Sequence, residues 1–170
     1  MGQATQQTYF IYPTPMGRIT LASHGVALTQ LAFGAVELSG DQIPTALTNE
    51  AANQIQEYLA GKRKVFDLPL DPAGTDFQKR VWQALQTIPY GQTRSYQDVA
   101  RMIGNPKALR AVGGANNKNP LLILIPCHRV IGSNGDLVGY AAGLKIKRFL
   151  LDLEQRYSND INDPNTEERI

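Results

Sequence analysis

Cys127, His128 and Arg129 follow one another, and Cys127 is the only cysteine in the 170 residues. A lone cysteine forms no internal disulfide and builds no cysteine-rich zinc site. It is either a buried filler or a group that reacts. The reactive form of a thiol is its thiolate, and a free cysteine has a pKa of about 8.5 unless nearby cations or a base lower it. An imidazole and a guanidinium directly after the thiol therefore suit nucleophilic chemistry. Adjacent side chains on a regular strand point to opposite faces. His128 can serve Cys127 only across a turn or through a bridging water, and Pro126 just before the cysteine favours irregular backbone there.

A second constellation lies upstream. Residues 96–102 and 106–117 read as two helices joined by a turn containing Gly104, the pattern of a helix-turn-helix. On the second helix Ala108, Leu109, Val112 and Ala115 form an apolar stripe for packing. Arg110, Gly113, Gly114 and Asn117 form the other face, which carries almost no bulk. Mid-helix glycines cost roughly 1 kcal/mol each relative to alanine, so two together imply a close approach of something to the backbone. That body is either a ligand or another part of the same protein. A smooth face with one projecting arginine suits a narrow groove.

Charge separates along the chain. Residues 1–75 carry net −2, residues 76–156 net +7 and residues 157–170 net −3. A basic middle block fits a polyanion such as nucleic acid, or a solvated basic face. The hydrophobic share of 42% and charged share of 19% are those of an ordinary globular chain. No apolar run reaches membrane-spanning length, and the N-terminus lacks the basic and apolar regions of a signal peptide, so a cytoplasmic protein with no membrane partner is expected.

The elements that must position these groups are legible in outline. Strands are predicted at residues 9–12, 18–22 and 26–33, the last two as a hairpin around Ser23-His24-Gly25. A helix follows at 49–59 with Gly61 as its stop, then a strand or extended linker at 65–70. Asp71-Pro72-Ala73-Gly74 is turn chemistry and marks a boundary between a domain at 1–74 and one at 75–156. The second domain opens on a capping box, Thr75-x-x-Gln78, with Phe77, Val81, Ala84, Leu85 and Ile88 at helical spacing. Ser95-x-x-Asp98 is a second capped start. Asn105 as cap and Pro106 as first residue open the helix to 117. An extended apolar stretch at 121–125 leads into the cysteine, and a last helix begins at Leu144 with Ile146, Phe149, Leu150 and Leu153 as its buried stripe. Residues 157–170 read as a polar tail.

The runs Ile88-Pro89-Tyr90-Gly91, Ser95-Tyr96, Asn105-Pro106-Lys107, Arg110-Ala111-Val112-Gly113, Asn119-Pro120 and Ile125-Pro126-Cys127-His128-Arg129-Val130-Ile131-Gly132 resemble the O6-alkylguanine-DNA alkyltransferases. The resemblance extends in register from about Phe77 to Glu154. It implies an α+β chain, with a small ribonuclease-H-like N-terminal sheet domain before a mostly helical C-terminal domain that carries the helix-turn-helix.

It also implies roles. Cys127 would accept an alkyl group from O6-alkylguanine in double-stranded DNA, irreversibly, so that each chain acts once. His128 would act as base through a water, Glu154 would orient His128, and Asn119 would brace the active turn; this is the logic of nucleophile, base and orienter. Tyr96 would protonate the leaving guanine and crowd the phosphate. Arg110 would fill the place of a base flipped out from the minor groove. Ser95, Ala111, Gly113 and Gly114 would complete the DNA-binding face, and Tyr140, Ala141, Ala142 and Met102 the base pocket. Where the family often has two glycines, this chain has Ala142-Gly143, and a position needing positive φ would resist Ala142. Zinc-binding relatives use cysteines that are absent here, so neither metal nor cofactor is expected, and the protein is expected to be a monomer. The alternative reading is a DNA-binding protein that recognises alkylguanine without chemistry. A transcription regulator and a small-molecule cysteine hydrolase fit the flat helix face and the basic block less well.

Overall fold

The computed structural model describes residues 6–158, which divide into two compact units. The predicted tail at 157–170 lies outside the described residues from 159 on. The first unit comprises the chain up to Ala73 together with Pro120–Leu124, and the second comprises Gly74–Asn119 and the chain from Ile125 onward.

The first unit is built on a four-stranded sheet in the order β3-β2-β1-β4: β1 (Thr8–Thr14), β2 (Gly17–Ser23), β3 (Leu28–Phe33) and β4 (Asp41–Gln42). β1, β2 and β3 pair antiparallel, while β4 runs parallel to β1. β2 is central, and its Ile19, Leu21 and Ala22 are fully buried. α1 (Ala46–Leu59) adds Ala51, Ile55, Tyr58 and Leu59 to this core. It starts three residues earlier than the predicted 49, because Thr45 and Thr48 cap each other reciprocally, with a threonine standing where Glu or Gln is usual. β4 has two exposed residues and no apolar alternation, so the sequence gives no sign of it.

Of the two readings of residues 65–70 the linker holds: they form no strand, and only Leu70 bridges, to Leu28. One expected stretch is corrected. Residues 121–125 are not extended. Leu121 makes one parallel bridge to Leu31, whose N–H donates to the Pro120 carbonyl at 2.8 Å. The chain then reverses in a three-residue turn, Leu124 N–H donating to the Leu122 carbonyl at 2.8 Å around Ile123 at φ +71°. This is the rare positive-φ γ-turn, and at a β-branched residue it is strained.

The second unit is helical: α2 (Asp76–Leu85), α3 (Tyr96–Met102), α4 (Leu109–Asn117) and α5 (Leu144–Tyr157). Both capping boxes form, Thr75 with Gln78 and Ser95 with Asp98. Trp82 is buried on α2 and its indole N–H donates to the Ala115 carbonyl of α4 at 2.9 Å. Short strands β5 (Arg94–Ser95) and β6 (Val130–Ile131) pair in parallel. That pairing sets the start of α3 beside the chain leaving Cys127-His128-Arg129.

The second helix of the helix-turn-helix is shorter than expected. Its cap is Ala108, with no side-chain cap bond, rather than Asn105. Asn105 and Pro106 instead begin a turn closed by Ala108 N–H donating to the Asn105 carbonyl at 3.0 Å; the residues that cap helices are also turn residues. Leu109 lies 45% exposed, so the packing face is Val112, Ala115 and Asn116. The α5 stripe is corrected more sharply. Phe149 is 42% exposed and Ile146 half-buried, and the inward face is Lys147, Leu150, Leu153 and Glu154.

Candidate active site and open helix face

The turn that carries the cysteine is made by backbone. Pro126 sits at φ −80°, ψ 62°, and Cys127 N–H donates to the Ile125 carbonyl at 2.7 Å, an inverse γ-turn. Cys127–Arg129 then form one turn of 3-10 helix. With three residues per turn, consecutive side chains fan out about 120° apart instead of alternating across a strand. This is the turn that the motif needs.

All three side chains are buried. The Asn119 amide donates to the Ile125 carbonyl at 2.8 Å and to the Cys127 sulfur at 3.1 Å. Asn116 reaches the Cys127 carbonyl at 3.5 Å, a long contact. Burial pushes the Cys127 thiol up to about 11, against the opposing pull of the Asn119 hydrogen bond and the Lys147 charge. The resting sulfur is therefore protonated, and attack requires a base.

His128 Nε2 bonds Glu154 Oε2 at 2.7 Å. Burial holds the imidazole below its ordinary pKa; Glu154 opposes this, and the charges of Arg129 and Lys147 reinforce it. His128 is neutral at pH 7. Burial disfavours the Glu154 carboxylate, but the hydrogen bonds and charges of His128 and Arg129 outweigh it and leave the carboxyl well below the usual range. Glu154 Oε1 also accepts from Gly91 N–H at 3.0 Å. Gly91 has φ +79°, where a side chain would be strained.

Tyr96 donates to the Val138 carbonyl at 2.8 Å, and the same carbonyl accepts from Lys147 Nζ at 2.8 Å. Burial raises the Tyr96 hydroxyl pKa and the negative potential of Cys127 adds to it, with the Asn116 hydrogen bond opposing. Tyr140 is buried, and its hydroxyl has no hydrogen-bond partner among the described residues. Lys147 is fully buried, bonds the Val130, Val138 and Gly139 carbonyls, and has its pKa lowered to about 8 by burial.

Arg110 lines an open cleft of about 430 Å³ with Tyr96, Gln97, Leu109, Gly113, Gly132 and Ser133. Arg110 and Ala111 are exposed on α4. A Cβ built at Gly113 or Gly114 meets nothing within 4 Å, so neither glycine is there to let another part of this protein pack closely. The predicted pocket residues Tyr140, Ala141, Ala142 and Met102 do not line this cleft; Ala141 is exposed and Met102 is 42% exposed. Ala142 avoids the conformation that would have resisted it. The positive φ values nearest it fall on Gly139 and Gly143, and among the described non-glycine residues only Ile123 has one. Ser95 spends its hydroxyl on the α3 cap.

The structure thus brings together Cys127, His128, Glu154 and Asn119, with Tyr96 tied to the loop at Val138. Sequence reasoning missed Lys147, Gly91, Asn116 and the grip of Arg129 on Glu154. Lys147 had a signal, since it lies two turns before Glu154 on the stripe of Leu150. Among the described residues, no three His, Cys, Asp or Glu side chains cluster as a metal site, and no helix is long and apolar enough to cross a membrane.

A buried thiol beside a linked imidazole and carboxylate, in one unit with a helix-turn-helix, defines a cysteine-dependent group-transfer protein. Residues 76–156 match the model of the 6-O-methylguanine DNA methyltransferase DNA-binding domain, and residues 8–72 that of the family's ribonuclease-like domain. A methylated-DNA–protein-cysteine methyltransferase of Methanosarcina barkeri is 53% identical over 86% of this chain and 96% of its own length. A constitutive one of Bacillus subtilis is 46% identical over 86% and 94%. The crystal structure of Mycobacterium tuberculosis OGT in complex with DNA superimposes with a TM-score of 0.83 at 47% identity, over 88% of this chain and 94% of that one. The chain belongs to the 6-O-methylguanine DNA methyltransferase family.

Proposed function

We propose that this chain repairs double-stranded DNA by moving an alkyl group, typically methyl, from O6 of guanine to the sulfur of Cys127, once per molecule. The observation that carries this reading is the Cys127 sulfur held by Asn119 at 3.1 Å beside the buried His128–Glu154 pair. With Nε2 engaged by Glu154, Nδ1 of His128 takes the thiol proton through a bridging water. The thiolate attacks the alkyl carbon, an S–C bond forms and the C–O6 bond breaks. The guanine anion takes a proton from Tyr96, which first releases the Val138 carbonyl. The product is a thioether, and no group at the site reverses its formation.

A base inside a duplex is out of reach and must be extruded, which costs a few kcal/mol. Arg110, exposed and lining the cleft, enters the duplex in its place. The open Gly113–Gly114 face of α4 lies along the minor groove with Ala111, and contacts to phosphates make binding fall with salt. Tyr140, Ala142 and the glycine-punctuated loop around them close over the flipped base. The protein acts as a cytoplasmic monomer, without metal or cofactor, as a domain of about residues 1–74 and one of about 75–156.

The test is intact mass after incubation with a duplex containing one O6-methylguanine. One methyl gained per chain, and none by Cys127→Ala, is expected. Tight lesion binding with unchanged mass would make this a recognition protein and overturn the reading.

A further inference from the structure

A carboxylate beside a buried imidazole presents a difficulty. Alone, it draws a proton onto the ring, and an imidazolium cannot accept another from a thiol. The site contains a second partner for that carboxylate. Arg129 Nε donates to Glu154 Oε1 at 2.8 Å and Arg129 Nη2 to Oε2 at 2.9 Å, a bidentate pair. The guanidinium is fixed from behind: Nη1 donates to the Ile88 carbonyl at 2.7 Å, and Cζ lies 5.8 Å from the Tyr90 ring centre. Arg129 is 7% exposed and Glu154 1%. His128 and Arg129 are consecutive, yet both reach this one carboxylate, because the 3-10 turn spreads their side chains by about 120°.

We infer that Arg129 is a positioning residue of the transfer: its fork neutralises and orients Glu154, so that Glu154 aligns the His128 ring without protonating it and His128 stays the neutral base for Cys127. This rests on the proposed roles of Cys127 and His128. An arginine is a permanent cation whose planar fork matches a carboxylate, and a lysine offers only a point charge. The charge of Glu154 is thus satisfied by a group that cannot transfer its own proton. The other charged groups acting on His128 are Glu154 and Lys147, both on α5; Lys147 acts in the same direction as Arg129.

The chain has two histidines, so imidazole NMR resolves His128 once His24 is assigned by substitution. In the unmodified protein at pH 7, His128 is expected to be neutral with its proton on Nε2; an imidazolium there overturns the inference without any variant. Arg129→Gln removes the charge and keeps an amide NH2 as donor, and Arg129→Lys keeps a charge. In Arg129→Gln the His128 titration moves up in pH, and single-turnover transfer falls more at pH 6 than at pH 8, by up to about tenfold for each unit by which the new pKa of the ring exceeds 6. Arg129→Lys restores most of the titration, because it keeps a charge, and only part of the rate, because it lacks the fork. If both variants titrate like the parent and lose rate equally at every pH, Arg129 only packs the turn and the inference is wrong. Failure of the parent protein to take up methyl would sink the proposed function instead, whatever His128 does.

Discussion

The amide of Asn119 holds the sulfur of Cys127 and, with the same nitrogen, the carbonyl two residues before it, at 3.1 and 2.8 Å. One side chain therefore fixes both the position of the nucleophile and the backbone turn that presents it. Asn119→Ala is expected to lower stability by about 1–3 kcal/mol, the range for stranding a buried polar group. Methyl transfer should slow at the same time. Thermal melts and single-turnover rates check this; a variant as stable and fast as the parent would contradict the bracing role.

Gly114 offers a test in which stability and function move in opposite directions. Its missing Cβ has open space around it. Gly114→Ala should stabilise the protein by up to about 1 kcal/mol from helix propensity, and it should weaken binding to duplex DNA. Denaturation and fluorescence-anisotropy titrations decide. Unchanged DNA affinity would mean that this face of α4 does not meet the duplex.

Lys147 joins the Val130 carbonyl, ahead of the glycine-punctuated loop, to those of Val138 and Gly139 within it. Lys147→Met keeps the length and removes the donors, at an expected cost of at least about 1.5–3 kcal/mol for charged hydrogen bonds. The lysine pKa of about 8 lies below its ordinary 10.5, so the native group loses its charge as pH rises through about 8. That charge favours the Cys127 thiolate. Transfer by the parent protein should therefore level off above about pH 8, and this limb should vanish in Lys147→Met.

Glu154 should dominate the acid side of the stability curve. Its folded pKa lies below the ordinary 4.5, so between the two values the unfolded chain binds the extra proton. The stabilisation is complete above about pH 5 and drains away as pH falls through the folded value. Urea denaturation from pH 3 to 7 should show that slope, and Glu154→Gln should flatten it. An equal slope in the variant would place the acid sensitivity elsewhere.

The capping boxes at Thr75 and Ser95 were legible because each joins a local side-chain bond to a local apolar run, and local chemistry decides helix starts. Asn105-Pro106 misled, since the same residues suit a turn, and the turn is what forms. The α5 stripe was misread for a different reason. Periodicity counts apolar residues, while Lys147 and Glu154 are buried because carbonyls, an amide and an arginine from distant parts of the chain meet them there. No local pattern records such partners. β5 and β6 are two residues each, too short to carry an alternation, yet their pairing ties Ser95 to Ile131. Of the candidate site, Cys127 and His128 were legible from their types and adjacency, Asn119 and Glu154 only through the family resemblance, and Gly91 and Lys147 not at all, because their contacts leave no local pattern.

The sulfur that each chain can use only once is 1% exposed and protonated at rest. An exposed thiolate would meet oxidants and stray electrophiles throughout the life of the protein, and every such accident would retire a molecule before it found a lesion. Concealment of the thiol until a flipped guanine is brought to it spares unspent molecules from such accidents.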